Sequence, residues 1–187
     1  MSAAFTFPIT RIGEADWVAK LQQYLASYDI DYLGVTSQEL AACETRLGAA
    51  LPESMRAYYL AFGGTQSSDF MYGLLPLAEV APLDNTGFEF ISLYFTPPEV
   101  AGLAYFADSP GNDPLCVDQD TGELYLFSHD PVRKAKVFAD FNQYLLSEIM
   151  QLEDLLGEGL PEERAQQLAA DYLAASGIDY DFRTQKL

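Results

Sequence analysis

Apolar residues recur along this chain at two spacings, and the switch between them divides it into three stretches. From Glu14 to Tyr28, the residues Trp17, Leu21, Tyr24, Leu25 and Tyr28 return every three or four positions, which places them on one face of a helix. That face is predicted to be buried, with Trp17 as a core anchor. A second helix is announced by Thr36 and Glu39, a capping box in which each side chain satisfies a backbone N–H that has no partner within the first turn. Leu40, Cys43 and Leu47 form its apolar stripe, and Gly48 follows where a left-handed C-cap is expected. Leu51-Pro52 then restarts a helix, since proline costs little where no N–H is needed, and Gly63-Gly64 ends it.

From about Phe70 to Phe138 the helical period gives way to short aromatic and β-branched runs set between turn residues. Strands are predicted near 72–77, 87–95, 102–107, 115–118, 123–127 and 135–138. Asn85-Thr86-Gly87 and Asp120-Thr121-Gly122 read as tight turns in which the glycine tolerates positive φ, the second closing a hairpin. Helical spacing returns with Phe138, Phe141, Leu145, Ile149, Leu152 and Leu156, up to Gly157. Pro161 opens a further helix, with Arg164, Leu168, Tyr172 and Ala175 on one side and Gly177 at its end. Helices first, a central antiparallel sheet of about five to six strands and helices last give an α+β fold. It is read as one domain over residues 1–187, with an N-terminal helix at 14–28 and a helical extension over 147–177.

A chain of 187 residues with a hydrophobic fraction of 49% can bury a core without covalent staples. Cys43 and Cys116 stand far apart, form no CxxC pair and have one histidine, His129, for company, so neither a disulfide framework nor a zinc site is expected. The opening MSAAFTFPITRIGEADW lacks a basic stretch followed by an apolar run, and no window approaches the ~20 apolar residues of a membrane span. A cytoplasmic protein without a membrane partner is the expectation.

Charge changes the picture more. The formal net charge is −18, and between Ala57 and Val132 there is no Lys or Arg at all. Eleven carboxylates lie in that interval: Asp69, Glu79, Asp84, Glu89, Glu99, Asp108, Asp113, Asp118, Asp120, Glu123 and Asp130. Nucleic-acid binding rests on Lys and Arg displacing counterions from phosphate, so DNA, RNA and anionic lipid are expected to be repelled and a basic protein attracted.

Catalytic signatures are sparse. There is no GxSxG elbow, no phosphate loop and no dinucleotide fingerprint. His129 is the one imidazole base available; in Ser-His-Asp-Pro it reads as a turn residue, with a surface contact or pairing with a carboxylate as alternatives. The acids Asp113, Asp118, Asp120 and Glu123 invite a calcium reading, but Gly122 stands where a ligand belongs and Glu123 where the glycine belongs. No enzyme, cofactor or metal is expected.

Three segments carry a family resemblance. VTSQELAACETRLGAALPESMRAYYLAFGG at 35–64 supplies a helix, Gly48, Leu51-Pro52, a second helix with Tyr58 and Tyr59, and the pair Gly63-Gly64. YFADSPGNDPLCVDQDTGELYLFSHD at 105–130 supplies Gly111-Asn112, Leu115, Asp118, Gly122 and Tyr125; KVFADFNQYL at 136–145 supplies the following helix. Together they resemble the SUKH superfamily over about 35–146, with Phe62 and Ser54-Met55 departing from the family's usual residues.

That resemblance implies a SUKH-like fold and the company of fungal cell-wall-synthesis regulators and bacterial immunity proteins. The immunity branch implies a non-catalytic protein that neutralises a cognate toxin, one that acts on nucleic acid and so presents a basic domain, by direct binding. The alternative is a regulatory scaffold. The candidate toxin-binding rim is Asp108, Asp113, Asp118, Asp120 and Glu123, with Tyr105 and Tyr125 as aromatic anchors.

Overall fold

A computed structural model describes residues 6–64 and 70–156, together with Gln166. Three helices open it: α1 (Trp17–Ala26), α2 (Ser37–Leu47) and α3 (Glu53–Phe62). The capping box at α2 forms in full, and Gly48 closes that helix at φ 78°. Six antiparallel strands follow, β1 (Gly73–Leu74), β2 (Ala81–Pro82), β3 (Leu103–Asp108), β4 (Pro114–Asp118), β5 (Leu124–His129) and β6 (Val132–Phe138). The sheet runs β1-β3-β4-β5-β6, with β2 also pairing along β3. Between β2 and β3 lie two short helices, α4 (Glu89–Tyr94) and α5 (Pro97–Val100), and α6 (Phe141–Leu156) packs after the sheet. The architecture is α+β, as the sequence predicts; the helix predicted from Pro161 lies, apart from Gln166, outside the described residues.

Both faces of the sheet are covered. On one, Phe106, Leu115, Val117, Leu126 and Val137 join α1, α2, α3 and α6 in the main core. Its centre is aromatic: Phe106 meets Tyr144 at 5.5 Å and 89°, and Tyr58 meets Phe141 at 5.3 Å. The buried hydroxyls are satisfied, Tyr144 donating to the Tyr72 carbonyl at 2.8 Å and Tyr59 to the Leu75 carbonyl at 3.2 Å. The fully buried Glu148 of α6 accepts from the amides of Met71 at 2.6 Å and Tyr72 at 3.3 Å, which ties the approach to β1 onto the helix. Trp17 packs on this core, with its ring 5.8 Å from Phe62.

On the other face, Leu103, Cys116 and Phe127 form a smaller cluster with Leu83, Ile91 and Val100, and Tyr105, Tyr125, Phe88, Phe90 and Phe95 pack against it. The segment 83–101 is therefore an outer layer. Central β4 is buried from both sides, which explains why Leu115, Cys116 and Val117 read as an unbroken apolar run rather than an alternating one.

Three sequence readings are corrected here. Within the stretch predicted as a strand over 87–95 the chain forms helix α4, because Phe88, Ile91 and Phe95 meet the sheet at helical spacing; a short apolar run fits either period, and the tertiary contact decides. Gly87 has no positive φ, and the turn before it is closed by Thr86, whose hydroxyl donates to the Leu83 carbonyl at 2.7 Å. Gly122 does take φ 78° at the β4–β5 hairpin. The strand predicted at 72–77 shrinks to β1, after which the chain turns over α2. There the Arg46 guanidinium donates to the carbonyls of Leu77 at 3.2 Å, Ala78 at 3.3 Å and Val80 at 2.8 Å.

Candidate protein-binding surface

The seven residues singled out in the sequence do not form one rim. Asp108 ends β3 and Asp113 precedes β4, at one end of the sheet; Asp118, Asp120 and Glu123 cluster around the β4–β5 hairpin at the other. Tyr105 and Tyr125 lie between them, each directly opposite Cys116 on the outer face.

Most of these groups are engaged within the fold. The Tyr105 hydroxyl donates to Asp108 Oδ1 at 2.8 Å. A regular strand would send residues three apart to opposite faces, but a bulge between Tyr105 and Ala107 turns Phe106 and Ala107 both into the main core and returns Asp108 to the side of Tyr105. Burial raises the Asp108 carboxyl above its ordinary range, with the tyrosine hydrogen bond pulling the other way, and burial also holds the Tyr105 hydroxyl well up. Glu123 Oε2 accepts from Tyr125 at 2.6 Å and its other oxygen meets Lys136 at 3.3 Å; the hydroxyl bond first, then the ammonium, lowers its pKa. Asp118 accepts from the amides of Asp120 and Thr121, both at 2.9 Å, and so builds the hairpin turn. Of the five acids, Asp120 alone is fully exposed.

Asp113 is buried to 8% exposure and accepts from the His129 amide at 3.0 Å and meets His129 Nδ1 at 2.5 Å. The His129 side chain itself is open to solvent, at the end of β5, so it is both exposed and paired. Its pKa is raised, by the Asp113 hydrogen bond and charge. Its ring lies 6.0 Å from Phe90, which links this end of the sheet to the outer layer.

The outer layer carries the surface that sequence reasoning missed. A cleft of about 700 Å³ opens between Leu83 and Ala101, lined by the apolar Phe88, Ile91, Phe95 and Val100 together with Asp84 and Glu89. Beside it, on α4, Leu93 is 72% and Tyr94 63% exposed. Helix α5 is held by a second capping box, Thr96 with Glu99, whose carboxyl is lowered chiefly by the Thr96 hydroxyl. That Thr-Pro-Pro-Glu pattern matches the Thr36–Glu39 signal and was available to find the helix; the cleft, which depends on how the layer folds back on the sheet, had no such signal. Among the described residues no group of three or more His, Cys, Asp or Glu side chains is placed to hold a metal ion, and no helix is long and apolar enough to cross a membrane.

The model of the SMI1 / KNR4 family (SUKH-1) matches residues 34–147, more than half of the chain. The chain belongs to this SUKH-1 family. The match runs from just before α2 to within α6, so it takes in the whole sheet and the outer layer, while α1 and the end of α6, which add Leu21, Leu25, Ile149 and Leu152 to the main core, lie outside it. A comparison with curated proteins finds no match. SUKH-1 membership is consistent with an immunity protein and with a cell-wall-regulator-like role alike.

Proposed function

We propose that this SUKH-1 protein is a non-catalytic, cytoplasmic immunity protein that neutralises a cognate toxin by binding it. The observation that carries the reading is a SUKH-1 domain with no Lys or Arg between residues 57 and 132, whose Asp84, Glu89, Asp120 and Asp130 stand exposed. A toxin that acts on nucleic acid needs a basic cleft. Exposed carboxylates on a strongly acidic chain attract such a cleft from a distance and, once docked, occupy the site where phosphate would sit. The same charge argues against nucleic acid or anionic membrane as the ligand. Binding of this kind calls for no cofactor, metal or catalytic residue in the immunity protein.

The test is co-production with the product of the neighbouring upstream gene, followed by salt titration of the purified pair. A complex that weakens as salt rises, and that restores growth of cells making the toxin, is the expected result. Absence of both complex and protection overturns the reading and leaves the regulatory scaffold in its place.

A further inference from the structure

We infer that the outer-layer cleft between Leu83 and Ala101 is a docking site for a basic protein segment that presents an aromatic or aliphatic side chain flanked by Lys or Arg. The inference deepens the binding reading above by naming the surface and the chemistry of its ligand.

Exposed apolar residues are ordinary one at a time, but not as neighbours on a helix of two turns beside an apolar cavity. Leu93 and Tyr94 do not line the cleft themselves; Leu93 lies one turn beyond Glu89, which does, and so borders its rim. Tyr94 lies one turn beyond Phe90, whose ring packs on Phe95 and His129. The helix has already used Ile91 to reach the sheet, so Leu93 and Tyr94 add nothing to the outer cluster. The cleft, about 700 Å³ and open to solvent, has room for a side chain, and Phe88, Ile91, Phe95 and Val100 are among its lining residues.

Charge selects the occupant. Asp84 and Glu89 are exposed at the cleft and no basic residue lines it. Lys134, a cation of β6 that reaches the layer, is spent: its ammonium donates to the Glu99 carbonyl at 2.9 Å and sits 4.5 Å above the Tyr125 ring. An acidic peptide would meet uncompensated repulsion, and a neutral apolar one would leave both carboxylates at the rim without partners. A segment that places an anchor in the cleft and cations against Asp84 and Glu89 satisfies every group.

The test uses the full chain and a short fluorescein-labelled peptide in which Arg flanks a Trp-Leu pair, with two control peptides, one carrying Ser for the apolar pair and one carrying Glu for Arg. Anisotropy at low salt is expected to show binding of the first peptide only. Substituting Leu93→Ser with Tyr94→Ser is expected to weaken it by about tenfold or more. Substituting Asp84→Asn with Glu89→Gln is expected to weaken it about threefold to tenfold and to flatten its salt dependence. Asp29→Asn with Asp31→Asn, exposed acids at the end of α1, serves as the control for charge alone. All of these side chains are exposed, so the variants keep the fold, which circular dichroism verifies. Equal weakening by the Asp29/Asp31 pair, or wild-type affinity in the Leu93/Tyr94 variant, overturns the inference. Toxin protection that survives the Leu93/Tyr94 substitutions also removes the cleft as the docking site while leaving the immunity reading intact; peptide binding that maps to the cleft without toxin protection does the reverse.

Discussion

Asp118→Ala separates a structural acid from a contact acid. The Asp118 carboxylate receives two backbone N–H groups, from Asp120 and Thr121 at 2.9 Å each, and thereby sets the turn that lets Gly122 close the hairpin. Bonds to a charged acceptor contribute about 1.5–3 kcal/mol apiece when shielded. This turn is open to water, which replaces part of that, so the nearest comparison is an acidic helix N-cap, whose loss costs about 0.5–2 kcal/mol. Two donors on one carboxylate place Asp118→Ala in the upper half of that range, at about 1–2 kcal/mol. The flanking backbone bonds, Asp118 N–H to the Glu123 carbonyl at 2.9 Å and Gly122 N–H to the Asp118 carbonyl at 2.8 Å, survive the substitution, so the hairpin weakens without dissolving. Asp118→Asn keeps the acceptor and is expected to recover about half of the loss. The chain's single tryptophan, Trp17, packs on Phe62 and reports urea unfolding by fluorescence. In parallel, affinity for the basic peptide should change by less than about twofold. Wild-type stability combined with a large loss of affinity would refute the reasoning and return Asp118 to the binding surface.

Gly63→Ala is expected to destabilise by about 3 kcal/mol or more, because a Cβ there would fall 1.9 Å from Tyr59 Cδ1 and 2.6 Å from its Cα, and Tyr59 is fully buried and hydrogen-bonded; soluble yield and the urea midpoint report it. Glu148→Ala removes the acceptor of two amides at the start of the sheet and is expected to cost about 2–4 kcal/mol, with faster hydrogen exchange at Met71 and Tyr72 as its local signature. For His129 the sign follows from its raised pKa: the folded state binds the proton more tightly than the unfolded chain. Its contribution is therefore complete below about pH 6.5, the ordinary histidine value, and is lost as pH rises through the folded value. Urea unfolding between about pH 5 and 8 should show that decline in the wild type and its absence in Asp113→Asn and His129→Gln.

What the sequence made legible was whatever chemistry is local. Thr36 with Glu39, Gly48, Leu51-Pro52 and the Asp120-Thr121-Gly122 turn each specify a conformation through neighbours a few residues away, and each is where it was expected. The outer layer was not legible, since Phe88 to Phe95 fits two periods and becomes helical only because the sheet offers Leu103, Cys116 and Phe127 to pack against. For the same reason the seven candidate residues appeared as one cluster. Closeness in sequence around a hairpin hides that a strand of five residues separates its two ends.

The acids of the central stretch then divide by geometry rather than by number. Glu123, just before β5, and Tyr125 within it are two apart and share a face, while Asp108 and Tyr105 are three apart and share one only because of the bulge. Each pair locks a tyrosine ring on the outer face of the sheet by its hydroxyl, from opposite ends of the sheet, on either side of Cys116. Carboxylates used in this way are already engaged within the fold, so a partner's cation gains less at them than at a carboxylate with no internal bond. Asp84 and Glu89 carry no such obligation to the sheet and stand beside the apolar side chains that α4 leaves in solvent. A partner therefore gains more at the outer layer, where its charges and its apolar anchor are met together, than at the hairpin the sequence first suggests.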